Sequence, residues 1–313
     1  MIRYSHLKAG IFLFALLLIG AFILLADRLL PSVAANVDCR PADSDYRCLK
    51  VGDYRLSVYQ SPESGTPKTP ILALHGGPGL SGLPLKNALQ AIEQPHPLFL
   101  YDQRGSGYSQ IKPDLNDYEF PKLIDEIEHF RGQVIKQDKI ILVGHSFGAY
   151  MALAYALKHP NHVEKILLIS TPIPKASLSS LVDILANGIP PGDPSAANQW
   201  WSNNLANYFT QYFYAQTPPE EFQPSASSYA TMIAGANSVM TNGFDLTELK
   251  KLDHPVLLLH GETEIFNTSK DIQIQIGAHL ENASIVEIKK TGHWSFLEDP
   301  IKFGQLLIDF LNG

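Results

Sequence analysis

Short apolar runs alternate with helix-like segments along most of the chain. Runs such as Leu98–Tyr101 and Ile140–Val143 are typical of strands buried on both faces, and Tyr54–Tyr59 alternates like a half-buried strand. Further strands are predicted at Pro70–Leu74, Val163–Ile169, Pro255–Leu259 and Ser284–Ile288, with helices at Lys122–Ile135, Phe147–Lys158 and Pro300–Leu311. This alternation predicts an α/β fold whose mostly parallel sheet is flanked by helices.

The segment from 172 to 252 interrupts this pattern. It is rich in Pro, Asn, Ser and aromatic residues, and its stretch 200–214 resembles an amphipathic helix. We interpret it as a helical cap inserted between a first core part, 37–171, and a second core part, 253–313. Two alternatives stay open: a helical elaboration without a role in binding, and an aromatic stripe that is core rather than substrate pocket.

The first 36 residues form a separate unit. Arg3 and Lys8 precede 18 uncharged, mainly apolar residues from Ala9 to Ala26. This length suits a membrane-spanning helix, which needs about 20 residues. The charge before it places the N-terminus in the cytoplasm and the rest outside. Because Ser32-Val33-Ala34 is a small-residue cleavage signal, a cleaved signal peptide and a secreted or periplasmic protein remain the alternative to a membrane anchor.

The chain has two cysteines, Cys39 and Cys48, just after this apolar run. Two close cysteines in an oxidising compartment usually pair, so we expect a disulfide that pins the approach to the first strand. The formal net charge is −7 and there is no basic block, which argues against nucleic-acid binding. No His or Cys cluster suggests a metal, and no motif suggests a cofactor.

One serine stands on a predicted strand–turn–helix junction. Ser146 lies in Gly144-His145-Ser146-Phe147-Gly148, which fits the G-x-S-x-G pattern of a nucleophile elbow. Such a turn must be sharp to expose the hydroxyl, and glycines avoid the resulting crowding. Because a strand precedes it and an Ala-rich helix follows it, we interpret Ser146 as a nucleophile rather than a turn serine.

A serine nucleophile needs a base, and the base needs a carboxylate. His293 follows the last predicted strand and precedes the final helix, so it is the candidate base. The acid is expected after Pro255–Leu259, where Glu264 is the first choice and Glu262 the fallback. A solvated loop carboxylate is the alternative for Glu264. The order serine, acid, histidine is that of the α/β-hydrolase arrangement.

The oxyanion of an acyl-transfer reaction needs two preorganised donors. The N–H of Phe147 is one candidate, and the N–H of Gly77, in the segment His75-Gly76-Gly77-Pro78-Gly79, is the other. A phosphate-binding loop is the rival interpretation of these glycines. It is disfavoured because no GK[ST] or G-x-G-x-x-G follows and because Pro78 lacks an N–H.

Together these motifs resemble the α/β-hydrolase superfamily. They are HGGPG (75–79), DQRGSGYS (102–109), GHSFG (144–148), HGETE (260–264) and GHWSFLEDP (292–300). The HGGPG and DQRGSG segments resemble the proline iminopeptidase branch. The resemblance implies Ser146, Glu264 and His293 as catalytic residues, Gly77 and Phe147 as oxyanion donors, and a structural role for Arg104.

Iminopeptidases of this kind bind the free amine of the substrate with carboxylates of the cap. In this chain Glu220 and Glu221 are the candidates, with a solvated helix start as the alternative, and Tyr108 is a further candidate substrate contact. The predicted function is a serine hydrolase, an aminopeptidase acting on short peptides or amides. A carboxylesterase or lipase-like enzyme for apolar esters and a catalytically silent binding protein are the other hypotheses.

Overall fold

A computed structural model describes the chain over residues 37–62, 68–92, 95–173, 203–204, 209–219, 222, 228–265 and 268–313. Within these ranges, eight strands form one sheet in the order β1-β2-β4-β3-β5-β6-β7-β8. The strands are β1 Tyr46–Val51, β2 Tyr54–Gln60, β3 Ile71–Leu74, β4 Leu98–Tyr101, β5 Ile140–His145, β6 Val163–Ile169, β7 Val256–Gly261 and β8 Ala283–Ile288. Strands β3 to β8 run parallel, β2 pairs antiparallel with β4, and β1 pairs antiparallel with β2 at the edge of the sheet.

Helices cover this sheet. In the described residues they are α1 Leu83–Gln90, α2 Phe120–Phe130, α3 Phe147–Lys158, α4 Tyr229–Asn242, α5 Lys270–Gly277, α6 Ser295–Glu298 and α7 Pro300–Asn312. A π-helical turn, Arg131–Ile135, continues α2, and 3-10 turns lie at Leu115–Tyr118, Pro160–His162, Thr210–Tyr212 and Leu246–Lys251. The sheet and the helices together confirm the predicted α/β fold.

Burial explains why the central strands read as unbroken apolar runs. All residues of β3, β4 and β5 are buried, because helices cover both faces of a parallel sheet. Helix α2 instead places Phe120, Leu123, Ile127 and Phe130 on one buried stripe, as expected of a helix with one face in water. Helix α7 begins at Pro300, where Asp299 caps it by accepting the N–H of Lys302.

The sequence pattern missed strand β1 and helices α1 and α5. Strand β1 is an edge strand whose central residues are partly exposed, so it shows no apolar run. Helix α1 has a proline at its start and only eight residues, and α5 is equally short. Such elements carry too few turns for a periodic signal.

The region between β6 and β7 contains helix α4, within the segment interpreted as a cap. Of the predicted amphipathic helix 200–214, the structure describes only residues 203–204 and 209–214. The predicted N-terminal apolar helix lies entirely outside the described residues. Among the helices that the structure does describe, none has the length and apolar character to cross a membrane.

The predicted disulfide between Cys39 and Cys48 is present. It closes a loop that covers the side chain of Lys86 on α1. Two carboxylates of this loop hold the ammonium group, Asp45 at 3.1 Å and Asp43 at 3.4 Å. The loop that the disulfide closes therefore fastens the N-terminal segment of the core to helix α1.

Arg104 forms a buried ion pair with Glu126 of α2. The Nε of Arg104 lies 2.8 Å from Oε2, and the backbone N–H of Arg104 donates to Oε1 of the same carboxylate. Arg104 also reaches the exposed Asp53 at 3.6 Å. The pair anchors the loop after β4, which agrees with the structural role that the resemblance implies for Arg104. Burial raises the pKa of Glu126, so its ionised form depends on the guanidinium.

Replacing Glu126 by Gln should lower the free energy of unfolding by about 3 kcal/mol, because it leaves a buried guanidinium without its neutralising charge. Urea titration followed by circular dichroism measures this. Asp125→Asn is the matched control, since Asp125 pairs with Lys158 on the exposed side of the same helix. Its effect should stay below about 1 kcal/mol. Equal effects of the two variants would contradict a structural role for the buried pair.

Candidate active site

Ser146 lies on a sharp turn between β5 and α3. Its backbone has φ 53° and ψ −120°, a positive-φ conformation that residues other than glycine rarely adopt. A Cβ atom on Gly148 would lie 2.1 Å from the carbonyl oxygen of Leu74, and one on Gly144 would lie 2.5 Å from Cα of Ala149. The turn therefore requires both glycines of the motif, and it leaves Ser146 partly exposed at the end of a buried strand.

The HGGPG segment, which follows β3, lies directly against this turn. A Cβ atom on Gly76 would be 3.2 Å from Cβ of Ser146. Gly77 has φ 142°, a conformation that favours glycine. Among the hydrogen bonds of the described residues, none uses the backbone N–H of Gly77 or that of Phe147. Both predicted oxyanion donors thus belong to segments that adjoin Ser146.

His293 and Glu264 form a buried pair at the carboxyl ends of β8 and β7. Nδ1 of His293 lies 3.0 Å from Oε2 of Glu264, and the two side chains are 3% and 2% exposed. An Nδ1–H that donates to the carboxylate leaves Nε2 as the ring nitrogen able to accept a proton. The ring of His145, the residue before Ser146, is centred 4.9 Å from the ring of His293. The histidine therefore lies beside the serine turn.

Four donors surround the Glu264 carboxylate. Oε2 accepts from His293 and from the hydroxyl of Thr268 at 2.8 Å. Oε1 accepts from the hydroxyl of Ser170 at 2.5 Å and from the N–H of Gly261 at 2.9 Å. A buried carboxylate is costly unless it is hydrogen-bonded or paired, and this one is satisfied at both oxygens.

The structure distinguishes the two candidate acids. Glu262 is exposed, and its carboxylate accepts the backbone N–H of Lys290 at 3.0 Å. Glu264, not Glu262, contacts the imidazole of His293. The geometry therefore favours the first choice of the sequence analysis over the fallback and over a solvated loop carboxylate.

Burial keeps the two neighbouring histidines neutral. Burial lowers the pKa of His75 to about 4, and its Nε2 accepts the N–H of Gln103. Burial also holds the pKa of His145 well below its usual value. Nε2 of His145 lies 3.0 Å from the carbonyl oxygen of His293, so a neutral His145 donates there. Each neutral ring thus forms a hydrogen bond to the backbone, His75 with Gln103 and His145 with His293, without adding positive charge to the site.

Three features of this site were not predicted from the sequence: the hydrogen bonds of Ser170 and Thr268 to Glu264, and that of His145 to the backbone of His293. Ser170 directly follows β6, has φ 52° and also approaches the carbonyl oxygen of His293 at 3.2 Å. Its position at the carboxyl end of a parallel strand, next to the serine strand, is a signal that could have found it. Thr268 offers no comparable signal, because it lies in a loop whose path the pattern does not specify.

Of the three candidate substrate contacts, Tyr108 is the one that lies within the described residues. The backbone N–H of Tyr108 donates to the buried Asp102, and its ring lies 5.1 Å from the guanidinium of Arg40. The contact with Arg40 joins Tyr108 to the N-terminal segment of the core. Glu220 and Glu221 lie outside the described residues. In the part of the chain that is described, no three His, Cys, Asp or Glu side chains are grouped so as to hold a metal ion.

The chain is similar in sequence to known proteins over most of its length. The proline iminopeptidase of Thermoplasma volcanium is 25% identical over 279 residues, which cover 81% of this chain and 92% of that protein. The proline iminopeptidase of Heyndrickxia coagulans is 26% identical over 287 residues, 83% of this chain and 96% of that protein. These relatives confirm the resemblance to the proline iminopeptidase branch.

Solved structures share the fold at lower identity. A meta-cleavage product hydrolase of Pseudomonas fluorescens superimposes with a TM-score of 0.67 at 17% identity, covering 85% of this chain and 97% of that one. The family model described as alpha/beta hydrolase fold matches residues 69–300. That range includes β3 to β8, the serine turn, Glu264 and His293. The chain therefore belongs to the α/β-hydrolase family and is a hydrolase.

Proposed function

We propose that this hydrolase acts through a Ser146-His293-Glu264 triad and is an aminopeptidase, similar to proline iminopeptidases, acting on short peptides or amides. The observation that carries the proposal is the buried hydrogen bond of 3.0 Å between His293 and Glu264, beside a serine held on a strained strand–turn–helix junction. The relatives support the peptidase assignment, since two that span most of the chain are proline iminopeptidases.

The geometry gives each group a step in this mechanism. The Oγ of Ser146 attacks the substrate carbonyl carbon while Nε2 of His293 takes its proton. Glu264 holds the imidazole by Nδ1–H and stabilises the imidazolium that forms. The N–H groups of Gly77 and Phe147 donate to the oxyanion. The imidazolium then protonates the leaving amine, and an acyl-enzyme on Ser146 remains. Water, deprotonated by His293, attacks this ester and releases the acid.

A carboxylesterase of apolar esters is the second candidate, and one observation favours it. Aromatic residues crowd around His293. The ring of Tyr212 meets it edge-on at 5.6 Å, and Phe209, Phe213 and Phe222 pack around Trp294. Most of these rings are buried, so they act first as core. Tyr212 is partly exposed and offers an apolar surface beside the base.

We also propose that the catalytic domain works in an oxidising compartment, either membrane-anchored or exported. The disulfide Cys39–Cys48 supports this, because such bonds rarely persist in the cytosol of mesophiles. The apolar run Ala9–Ala26 and its preceding positive charge support it from the sequence.

Ser146→Ala should abolish hydrolysis of every substrate that the wild type cleaves, lowering kcat by about 10⁵-fold or more, because no acyl-enzyme can form. The measurement is steady-state release of the chromophore from arylamides and esters, with circular dichroism to verify folding. Residual activity within tenfold of the wild type would contradict Ser146 as the nucleophile.

Glu264→Gln should lower kcat by about 10³- to 10⁴-fold, since an amide nitrogen facing Nδ1 selects the wrong imidazole tautomer. Glu262→Gln is the matched control, two residues away in the same loop, and should change kcat less than twofold. The same two assays measure both variants. If Glu262→Gln were the more damaging change, the assignment of the acid would be wrong.

Two substrate series separate the peptidase from the esterase. One is a set of aminoacyl arylamides that includes proline, each with and without an N-acetyl group. The other is a set of p-nitrophenyl esters of increasing chain length. The peptidase proposal predicts arylamide cleavage that requires the free amine. Cleavage of esters alone would favour the esterase, and turnover of neither would favour the silent binding protein.

A further inference from the structure

A second chain segment lies against the loop that carries His293. We call residues 210–214 the cap segment, because they belong to the region between β6 and β7. The N–H of His293 donates to the carbonyl oxygen of Tyr212 at 2.7 Å. A Cβ atom on Gly292 would lie only 2.3 Å from the same oxygen. The cap segment and the histidine loop are therefore in direct backbone contact.

One carboxylate bridges the two segments. Oε2 of Glu298, at the end of α6, accepts the N–H of Gly292 at 2.6 Å. Oε1 accepts the N–H of Tyr214 at 2.7 Å. Gly292 precedes His293, and Tyr214 belongs to the cap segment. Each oxygen of Glu298 thus holds a different chain segment.

We propose that Glu298 is a positioning residue that fastens the cap segment to the histidine loop, so that the place of the cap segment sets the place of the catalytic base. This inference rests on the proposed role of His293. The contacts run without a gap from Glu298 through Gly292 to His293, and from Glu298 through Tyr214 to Tyr212, which returns to His293.

The bridge needs a carboxylate. Two N–H donors from different directions require two acceptor oxygens, and an ionised carboxylate supplies them. A glutamine would satisfy one donor and place its own NH₂ opposite the other. Aspartate keeps the charge, but it is one methylene too short to span both segments. Burial raises the pKa of Glu298, while the hydrogen bonds from the N–H groups of Gly292 and Tyr214 act in the opposite direction by stabilising the ionised carboxylate.

Ring packing reinforces the same contact. The ring of Phe213 stacks on that of Trp294, with centroids 5.1 Å apart and planes 14° apart. Trp294 follows His293 directly. Displacing the cap segment to admit a larger substrate would therefore break this stack, the two Glu298 hydrogen bonds and the hydrogen bond to His293 together. These contacts couple the position of His293 to that of the cap segment.

The test measures the rate constant with which a short-chain alkyl fluorophosphonate labels Ser146, which needs no known substrate. Glu298→Gln and Glu298→Asp should each slow labelling of the full-length chain about tenfold, as expected for a lost hydrogen bond to a charged group. Tyr214→Pro removes the backbone donor of the cap segment, and Phe213, with ψ 147°, already has the conformation preferred before proline. Tyr214→Ala, which keeps the N–H, is its reference and should label at least fivefold faster.

A double-mutant cycle separates positioning from general destabilisation. If Glu298 acts through the Tyr214 N–H, the variant carrying Glu298→Gln and Tyr214→Pro should label no more than twofold slower than either single variant. Additive effects, or equal rates for Tyr214→Pro and Tyr214→Ala, would overturn the inference. A Glu298→Asp variant as fast as the wild type would reduce Glu298 to a source of charge and would also overturn it. If the wild type itself is not labelled, the proposed function fails, and the inference falls with it.

Discussion

The site depends on one desolvated carboxylate. Removing an ionised carboxyl group from water costs several kcal/mol, and the cost is offset only where donors replace the lost water. Glu264 meets such donors from four places in the chain: the end of β6, the end of β7, the loop before α5, and His293. Gly261 and Thr268 are local partners of Glu264, whereas Ser170 and His293 lie 94 and 29 residues away, so all four donors meet only when the ends of β6 and β8 lie beside the end of β7.

The parallel sheet makes this convergence possible. The carboxyl ends of β3, β5, β6, β7 and β8 all open on one edge, so each following loop can deliver one group to the same place. The crowding around Ser146 adds a second constraint, because any side chain at Gly144 or Gly148 would collide with neighbouring backbone. The neutral His145 then links this turn to the carbonyl oxygen of His293. Ser146, His293 and Glu264, the residues of the proposed triad, are thus held at this edge of the sheet by both backbone and side-chain contacts.

Much of this arrangement could be predicted from local sequence. The central strands are buried on both faces, so their apolar runs marked them, and the glycines around Ser146 marked the turn. His293 and Glu264 followed from their positions after predicted strands. The edge strand β1 could not be found, because partly exposed positions erase the periodic signal. Thr268 lies in a loop whose path the pattern does not specify, and Glu298 accepts two backbone N–H groups, one of them 84 residues away, which no local pattern encodes. The substrate could not be predicted, because the region between β6 and β7, which we interpret as a cap, is rich in Pro, Asn and aromatic residues without a repeating pattern.

The most direct test is to identify the atom that carries the acyl group during turnover. The full-length protein would be mixed with an activated p-nitrophenyl ester, quenched in acid within milliseconds, digested and analysed by mass spectrometry. We expect the acyl mass on the peptide that contains Gly144-His145-Ser146, localised to Ser146. Turnover of the ester with no acyl adduct, or with the adduct on another residue, would contradict a serine hydrolase built on the Ser146, His293 and Glu264 triad.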